Sequence, residues 1–209
     1  MMTKIFNLII LDESGSMRSI KKDAIDSVNE TIQTILKAQQ DNEEQEHFVT
    51  FVTFNDEVKT ICDCVPCNEL KEITDADYSP ACCTALYDAM GNSLTNLCSK
   101  VGESDKVLVT IVTDGYENSS KEYNGAAIKA LVEELKGKGW VFAYIGANHD
   151  VESFAARISI TNTWSFNATS MGVKEMNTRL NRSRTKLYSS MTDECFDADE
   201  ANIAFFKDE

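Results

Sequence analysis

Three observations on this 209-residue chain predict an α/β fold, a doubly wound, mostly parallel sheet of about six strands with one antiparallel edge strand and helices on both faces. Short apolar runs alternate along the chain with longer segments of helical period. The most convincing runs are apolar at nearly every position, as strands covered on both faces must be. Only 2 Pro and 9 Gly leave no room for a long disordered linker.

The elements follow in order. Residues 5–11 form an apolar run that stops at a polar turn, which suits a buried parallel strand. Ile20, Ala24, Val28, Ile32 and Ile35 then recur every three or four residues, predicting an amphipathic helix over about 17–40. The acidic stretch 41–46 reads as a solvated loop. Residues 47–54, rich in Val, Thr and Phe, read as a second strand. The turn chemistry of Asn55, Asp56 and Glu57 joins it to an alternating segment, 58–64. That hairpin supplies the antiparallel strand, expected at the sheet edge. Residues 84–98 are helical, with Leu86, Met90, Leu94 and Leu97 on one face. The run 106–113 reads as a central strand. A helix over 123–136 is stopped by Gly137 and Gly139, and 140–145 is the next strand. A short helix over 151–158, a last strand ending over 163–166 and a long helix over 171–191 complete the order. In that last helix Val173, Met176, Leu180, Leu187 and Met191 are expected to face inward.

Composition excludes several functions. The net charge of -14 opposes nonspecific binding to nucleic acid or anionic lipid. No apolar run approaches the roughly 18 residues of a membrane helix. The amino-terminal apolar stretch meets Asp12 at once and reads as a strand, not a signal peptide. Seven cysteines, an odd number without framework spacing, suggest reduced thiols in a cytoplasmic protein.

In doubly wound sheets, ligands sit outside the carboxyl ends of the strands. Two such ends concentrate polar residues: Asp12-Glu13-Ser14-Gly15-Ser16 after the first strand, and Asp114-Gly115 after 106–113. Asp12, Ser14 and Ser16 alternate, and all offer hard oxygen. Carboxylate and hydroxyl oxygens suit Mg²⁺ or Mn²⁺ better than zinc or copper. Three ligands are too few for an octahedral ion, and Thr84 and Asp114 are placed to add oxygens. The same turn would also serve as an ordinary helix N-cap.

This pattern resembles the von Willebrand factor type A (vWA) domain family and its metal-ion-dependent adhesion site. That site reads Asp-x-Ser-x-Ser, then a distant Thr, then a distant Asp. Here those positions are Asp12, Ser14, Ser16, Thr84 in CCTALYDAM and Asp114 in VTDGYEN. The resemblance covers roughly residues 5–191 and is similar in style to stand-alone bacterial cytoplasmic members. It implies Ser14, Ser16 and Thr84 as direct hydroxyl ligands of Mg²⁺ (or Mn²⁺). It implies Asp12 and Asp114 as anchors of metal-bound water, with one coordination position open to a partner protein's Asp or Glu. The expected function is therefore a metal-dependent protein-interaction module, not an enzyme, with no nucleic-acid or membrane partner.

The rival class is a phosphohydrolase of the haloacid dehalogenase type. It needs a second Asp two residues after the first, where this chain has Ser14. Phosphate loops and a nucleophile elbow are also absent from the sequence. Glu13 and Glu117 are expected on the rim of the site, Asp88 as a support for the Thr84 segment, and Asn148, His149 and Asp150 on the same face. Cys62, Cys64, Cys67, Cys82 and Cys83 invite a zinc reading but lack paired spacing.

The domain is expected to span 1–191, with an acidic tail over 192–209 docked on it through residues 203–206. The last helix carries Lys174, Arg179, Arg182, Arg184 and Lys186 against Glu175. The tail carries Asp193, Glu194, Asp197, Asp199, Glu200, Asp208 and Glu209 against Lys207. Mutual neutralisation of the two is the expected arrangement.

Overall fold

The structure, a computed structural model, describes residues 2–193 and 195–207. Glu194, Asp208 and Glu209 of the acidic tail lie outside the described residues. The chain runs β1 (Thr3–Asp12), a 3-10 turn (Gly15–Ile20), α1 (Lys21–Asp41), β2 (Gln45–Phe54) and β3 (Val58–Pro66). It continues through α2 (Leu86–Cys98), β4 (Lys106–Thr113), α3 (Gly125–Gly137), β5 (Val141–Gly146), α4 (Val151–Arg157), β6 (Thr163–Ser165), α5 (Ser170–Met191) and α6 (Ala198–Ala204). The six strands lie in the order β3-β2-β1-β4-β5-β6. Only the β2–β3 pairing is antiparallel, and β3 is an edge, as the hairpin required.

Alternation along β1 builds two cores. Ile5, Ile9 and Leu11 face α1 and α5, packing with Ile32, Ile35, Met176 and Leu180. Phe6, Leu8 and Ile10 face the opposite layer, with Leu86, Met90, Leu94, Ile128 and Val132 of α2 and α3. Both faces of the central strands are thus dry, which is why those strands read as continuous apolar runs.

The chain leaves β1 toward β2 and leaves β4 toward β5, although β1 and β4 are neighbours. The order of winding therefore reverses between them. Their carboxyl ends form the crevice in which a doubly wound sheet takes its ligand.

Some expectations need correction. The first helix does not run unbroken from Met17, since a 3-10 turn occupies 15–20 before α1 begins. The solvated loop expected over 41–46 is shorter, 42–44, because Asp41 closes α1 and Gln45 opens β2. Gln45 is buried with both ends of its amide engaged: Nε2 donates to the Tyr188 carbonyl at 2.6 Å, and Oε1 faces His47 Nε2 at 3.0 Å. Ile203 is 57% exposed, whereas Phe205 and Phe206 are buried. Arg184 does not face the acidic tail; it is fully buried under the sheet. Arg179 meets the tail through the Phe206 carbonyl and also lies over the Trp164 ring at 4.9 Å.

Gln45 and Arg184 belong to a polar network that joins β1, β2, β4 and α5. The Tyr188 hydroxyl donates to Asn7 Oδ1, and Arg184 donates to the Tyr188 and Thr110 hydroxyls. Asn7 Nδ2 faces His47 Nδ1 at 3.4 Å. With the Gln45 amide nitrogen committed to Tyr188, His47 must donate from Nε2 and accept at Nδ1. That is a neutral imidazole. Burial and the Arg184 cation together lower its pKa from 6.5 to about 4.

A histidine depressed in this way contributes stability above pH 6.5 that is lost as pH falls toward 4. The gap between 6.5 and about 4 corresponds to about 3 kcal/mol. Urea unfolding of wild type and His47→Gln at pH 7, 5.5 and 4.5 should show the difference between them shifting in the variant's favour with acid. Buried Asp12 titrates in the opposite sense, and the subtraction cancels it. A difference that does not change with pH would show that neutral burial of His47 contributes nothing. The Arg184 and Tyr188 side chains, and Cys67, which donates to Gln39 at 3.3 Å, are the other charged or titratable groups around this network.

Candidate functional site

The turn after β1 is fixed by β4 and by the loop before α2. Asp12 Oδ1 accepts the Ser14 N–H at 2.6 Å, the local bond that bends the chain back toward the sheet. Its Oδ2 accepts the hydroxyl of Thr113, the last residue of β4, at 2.5 Å. From the other side, the Tyr78 hydroxyl donates to the Asp12 carbonyl at 2.6 Å, Ala81 N–H to the Glu13 carbonyl at 2.9 Å, and Gly15 N–H to the Cys82 carbonyl at 3.2 Å. The Glu13 side chain joins this lacing by accepting the Ser79 N–H. Glu13 is therefore buried in the loop contact, not a rim residue.

The oxygens meet in a chain. Ser14 Oγ and Ser16 Oγ are 3.1 Å apart, and Ser16 donates to Asp114 Oδ1 at 2.5 Å. Thr84 comes from the other side of the crevice. A Cβ built on Gly115 would lie 3.4 Å from Thr84 Oγ1 and 3.9 Å from both Asp12 Oδ2 and Ser16 Oγ. The glycine thus leaves open a space that three of these oxygens border. Of the five residues of the sequence pattern, Asp12, Ser16 and Thr84 border that space, and Ser14 and Asp114 join them through Ser16. Asp12, Ser14, Thr84 and Asp114 are buried, while Ser16 is exposed and marks the side open to solvent.

The set suits a hard cation. It offers two carboxylates and three hydroxyls, and no nitrogen or sulfur donor stands among the five. Burial pushes the Asp12 carboxyl up to about 6 against the lowering by the Thr113 and Ser14 hydrogen bonds, and it raises Asp114 as well. Two carboxylates desolvated side by side gain from a cation between them. Among the described residues, no three His, Cys, Asp or Glu side chains form a metal-binding group, so the cysteines make no zinc cage. The hard-oxygen cluster has only two carboxylates, and its character rests on hydroxyls.

Supporting residues that the sequence reading missed hold these oxygens. Asn118 clamps Thr84 from both ends: its Oδ1 accepts the Thr84 N–H at 2.9 Å and its N–H donates to the Thr84 carbonyl at 3.0 Å. Thr113 and Tyr78 fix Asp12 as described. Thr113 and Asn118 stand inside the VTDGYEN segment, but their supporting bonds, like that of Tyr78, reach across the fold and carry no local signal of their own. Glu117 accepts N–H bonds from Tyr87, Ser119 and Ser120, which ties the segment after Asp114 to the start of α2. Asp88 accepts the N–H groups of Lys121, Glu122 and Tyr123, so it supports the same segment.

His149 is tied to the Ala147 carbonyl and the Tyr144 hydroxyl, at 2.6 and 3.1 Å, and Asp150 caps α4. Asn148 reaches the Asp114 carbonyl at 3.5 Å. Tyr116, 56% exposed, leans on the His149 ring beside the open side.

The sequence model of the von Willebrand factor type A domain family matches residues 8–182. Solved structures with the same fold include a von Willebrand factor type A protein from Catenulispora acidiphila. It is 14% identical with a TM-score of 0.60, over 85% of this chain and 42% of that one. A mutant of the PilB minor pilin from Streptococcus sanguinis is 15% identical with a TM-score of 0.61, over 90% of this chain and 63% of that one. The vWF domain of a type V pili tip protein from Porphyromonas gingivalis is 10% identical with a TM-score of 0.62, over 87% of this chain and 96% of that one. The chain spans less than half the length of the first of these. Comparison with curated protein sequences gives no significant match.

Proposed function

The chain belongs to the von Willebrand factor type A domain family, and from that premise we propose that it is a protein-interaction module that engages an acidic residue of a partner through a divalent cation. The observation that supports this reading is an open-sided space at the β1–β4 crevice bordered by Asp12, Ser16 and Thr84, with Ser14 and Asp114 joined to it through Ser16. Mg²⁺ or Mn²⁺, when bound, supplies a positive centre for a carboxylate. Ser14, Ser16 and Thr84 would hold it with neutral oxygens, so much of its charge stays available. Asp12 and Asp114 would anchor its water. The chain's own lacing keeps those oxygens in place: Thr113 and Tyr78 on Asp12, Asn118 on Thr84.

A net charge of -14 does not forbid an acidic partner. Its far field is screened beyond roughly 8–10 Å, whereas the contact at the site is local. Neighbours that are pilus components fit a binding role better than a catalytic one. For a haloacid dehalogenase type of hydrolase, Ser14 stands where the general acid is needed. Among the described residues no helix is long and apolar enough to cross a membrane. With its cysteines outside disulfides, the proposal extends to a reducing, bacterial cytoplasm.

The test begins with calorimetric titration of the protein with Mg²⁺, then affinity capture of partners in Mg²⁺ and in EDTA. Thr84→Ala should weaken a captured partner at least about tenfold, equivalent to about 1.4 kcal/mol. It should change the stability of the metal-free protein by no more than about 1 kcal/mol. A partner bound equally well by wild type, by Thr84→Ala and in EDTA would place recognition elsewhere and sink the metal-dependent mechanism.

A further inference from the structure

Cys82 and Cys83 are neighbours in the chain, both exposed and both free thiols. They stand directly before Thr84, in the loop that packs against the turn after β1. That stretch is tied on both sides. The Cys82 carbonyl accepts the Gly15 N–H at 3.2 Å, Ala81 N–H donates to the Glu13 carbonyl at 2.9 Å, and Thr84 N–H donates to Asn118 Oδ1 at 2.9 Å. Cys82 also has a φ of 60°, a left-handed conformation that costs energy for a residue with a Cβ. A strained, exposed dithiol is thus built into the support of the oxygen cluster.

A disulfide between neighbouring residues closes a small ring that contains their own peptide. The trans peptide holds the two Cα atoms about 3.8 Å apart, short of the roughly 4.4–6.8 Å of ordinary disulfides. The bond therefore forms only if the 82–83 peptide gives way, and a bond strained in this manner is readily reduced again. Labile disulfides of this kind serve regulation in reducing compartments, where stable ones are rare. The peptide that must give way is the one whose carbonyl holds Gly15.

We propose that Cys82 and Cys83 are a reversible redox-modification site, closed by a low-molecular-weight disulfide, and that closure frees the Gly15 N–H and loosens the turn that carries Ser14 and Ser16. One cysteine thiolate attacks a sulfur of the oxidant, forming a mixed disulfide and expelling the first small thiol. The neighbouring thiolate attacks the cysteine sulfur of that mixed disulfide, closing the ring and expelling the second. The two cysteines are oxidised, the small disulfide is reduced to two thiols, and the cysteine protons end on those thiols. The Asp56 carboxylate beside Cys82 disfavours a lasting adduct with an anionic thiol. The consequence for Mg²⁺ rests on the metal reading of the site, whereas the ring and its effect on Gly15 do not.

The experiment treats the full chain with oxidised glutathione, then alkylates and digests it for mass spectrometry. The peptide holding Cys82 and Cys83 should be unalkylated, lack both thiol hydrogens and return to the dithiol with dithiothreitol. Glutathione retained on either cysteine, or alkylation of both, would overturn the ring. Amide exchange at Gly15 should accelerate in the oxidised protein. It should not do so in treated Cys83→Ser, which can carry an adduct at Cys82 but cannot close the ring. Unchanged exchange in ring-closed wild type, or equal acceleration in the variant, would refute the coupling to the turn. By calorimetry the oxidised protein should bind Mg²⁺ about 10–100-fold more weakly than the reduced protein, as when a support of a metal ligand is lost. Equal affinity in the two forms would also refute the coupling. If even the reduced protein binds no Mg²⁺, the metal reading alone falls, and Gly15 exchange still decides this proposal.

Discussion

Gly115→Ala should abolish the response of this protein to Mg²⁺ while leaving the metal-free fold as stable as wild type. Gly115 is not among the positive-φ residues, so alanine meets no backbone strain there. The added methyl would lie 3.4 Å from Thr84 Oγ1 and 3.9 Å from Asp12 Oδ2 and Ser16 Oγ, ordinary contact distances in the apoprotein. Reduced freedom of the unfolded chain would even favour the variant by about 0.4–1 kcal/mol. The same methyl occupies the space that those oxygens border.

In wild type, Mg²⁺ at a hundredfold excess over its dissociation constant should add about 2.7 kcal/mol, a rise of about 5–10 °C in Tm. In Gly115→Ala that rise and the calorimetric heat should both vanish. The variant is cleaner than Asp114→Ala, which also leaves Ser16 without its hydrogen-bond acceptor. Wild-type Mg²⁺ affinity in Gly115→Ala would mean that no ion sits between these oxygens, whatever the family.

Legibility in the sequence followed physical locality. The strands could be read because both faces of the sheet are dry, so Leu8, Ile9 and Ile10 had to be apolar in succession. The neighbourhood of the five oxygens was legible because Asp12, Ser14 and Ser16 share one turn and Asp114 ends the strand beside it, while their role as ligands is the proposal above. What escaped was polar and long-range. Gln45 looks like part of a solvated loop until Tyr188, more than 140 positions away, accepts its amide N–H. Arg184 looked like part of a surface basic stripe, although helical period places it one turn after Leu180, on the inward face. Glu13 was read as a rim acid because nothing nearby in the sequence announces the Ser79 N–H it accepts. Asn118 and Thr113 fix the site through bonds that reach across the fold, to Thr84 and Asp12.

The sheet edge at β5 supplies the second large effect. β6 pairs only with Tyr144, Ile145 and Gly146, so the first half of β5 has no strand beside it on that side. Two asparagine amides take its place. Asn162 donates to the Phe142 carbonyl at 3.0 Å and accepts the Phe205 N–H at 3.2 Å. Asn202, 2% exposed on α6, accepts the Phe142 N–H at 3.0 Å and donates to the Trp140 carbonyl at 2.8 Å. Asn202→Ala removes the partner of a buried N–H and of a buried carbonyl together. At about 1–2 kcal/mol for each unsatisfied group, it should cost about 2–4 kcal/mol, or about 4–16 °C in Tm. Asn202→Asp should be at least as damaging, since a carboxylate cannot donate to Trp140 and would be buried without a cation. Amide exchange at Phe142 should accelerate in both variants. The Mg²⁺ response should persist in each, because Asn202 acts at the amino end of β5 and the oxygen cluster lies at the carboxyl ends of β1 and β4. A loss below about 0.5 kcal/mol in Asn202→Ala would mark the segment after α5 as an appendage that contributes nothing to the sheet.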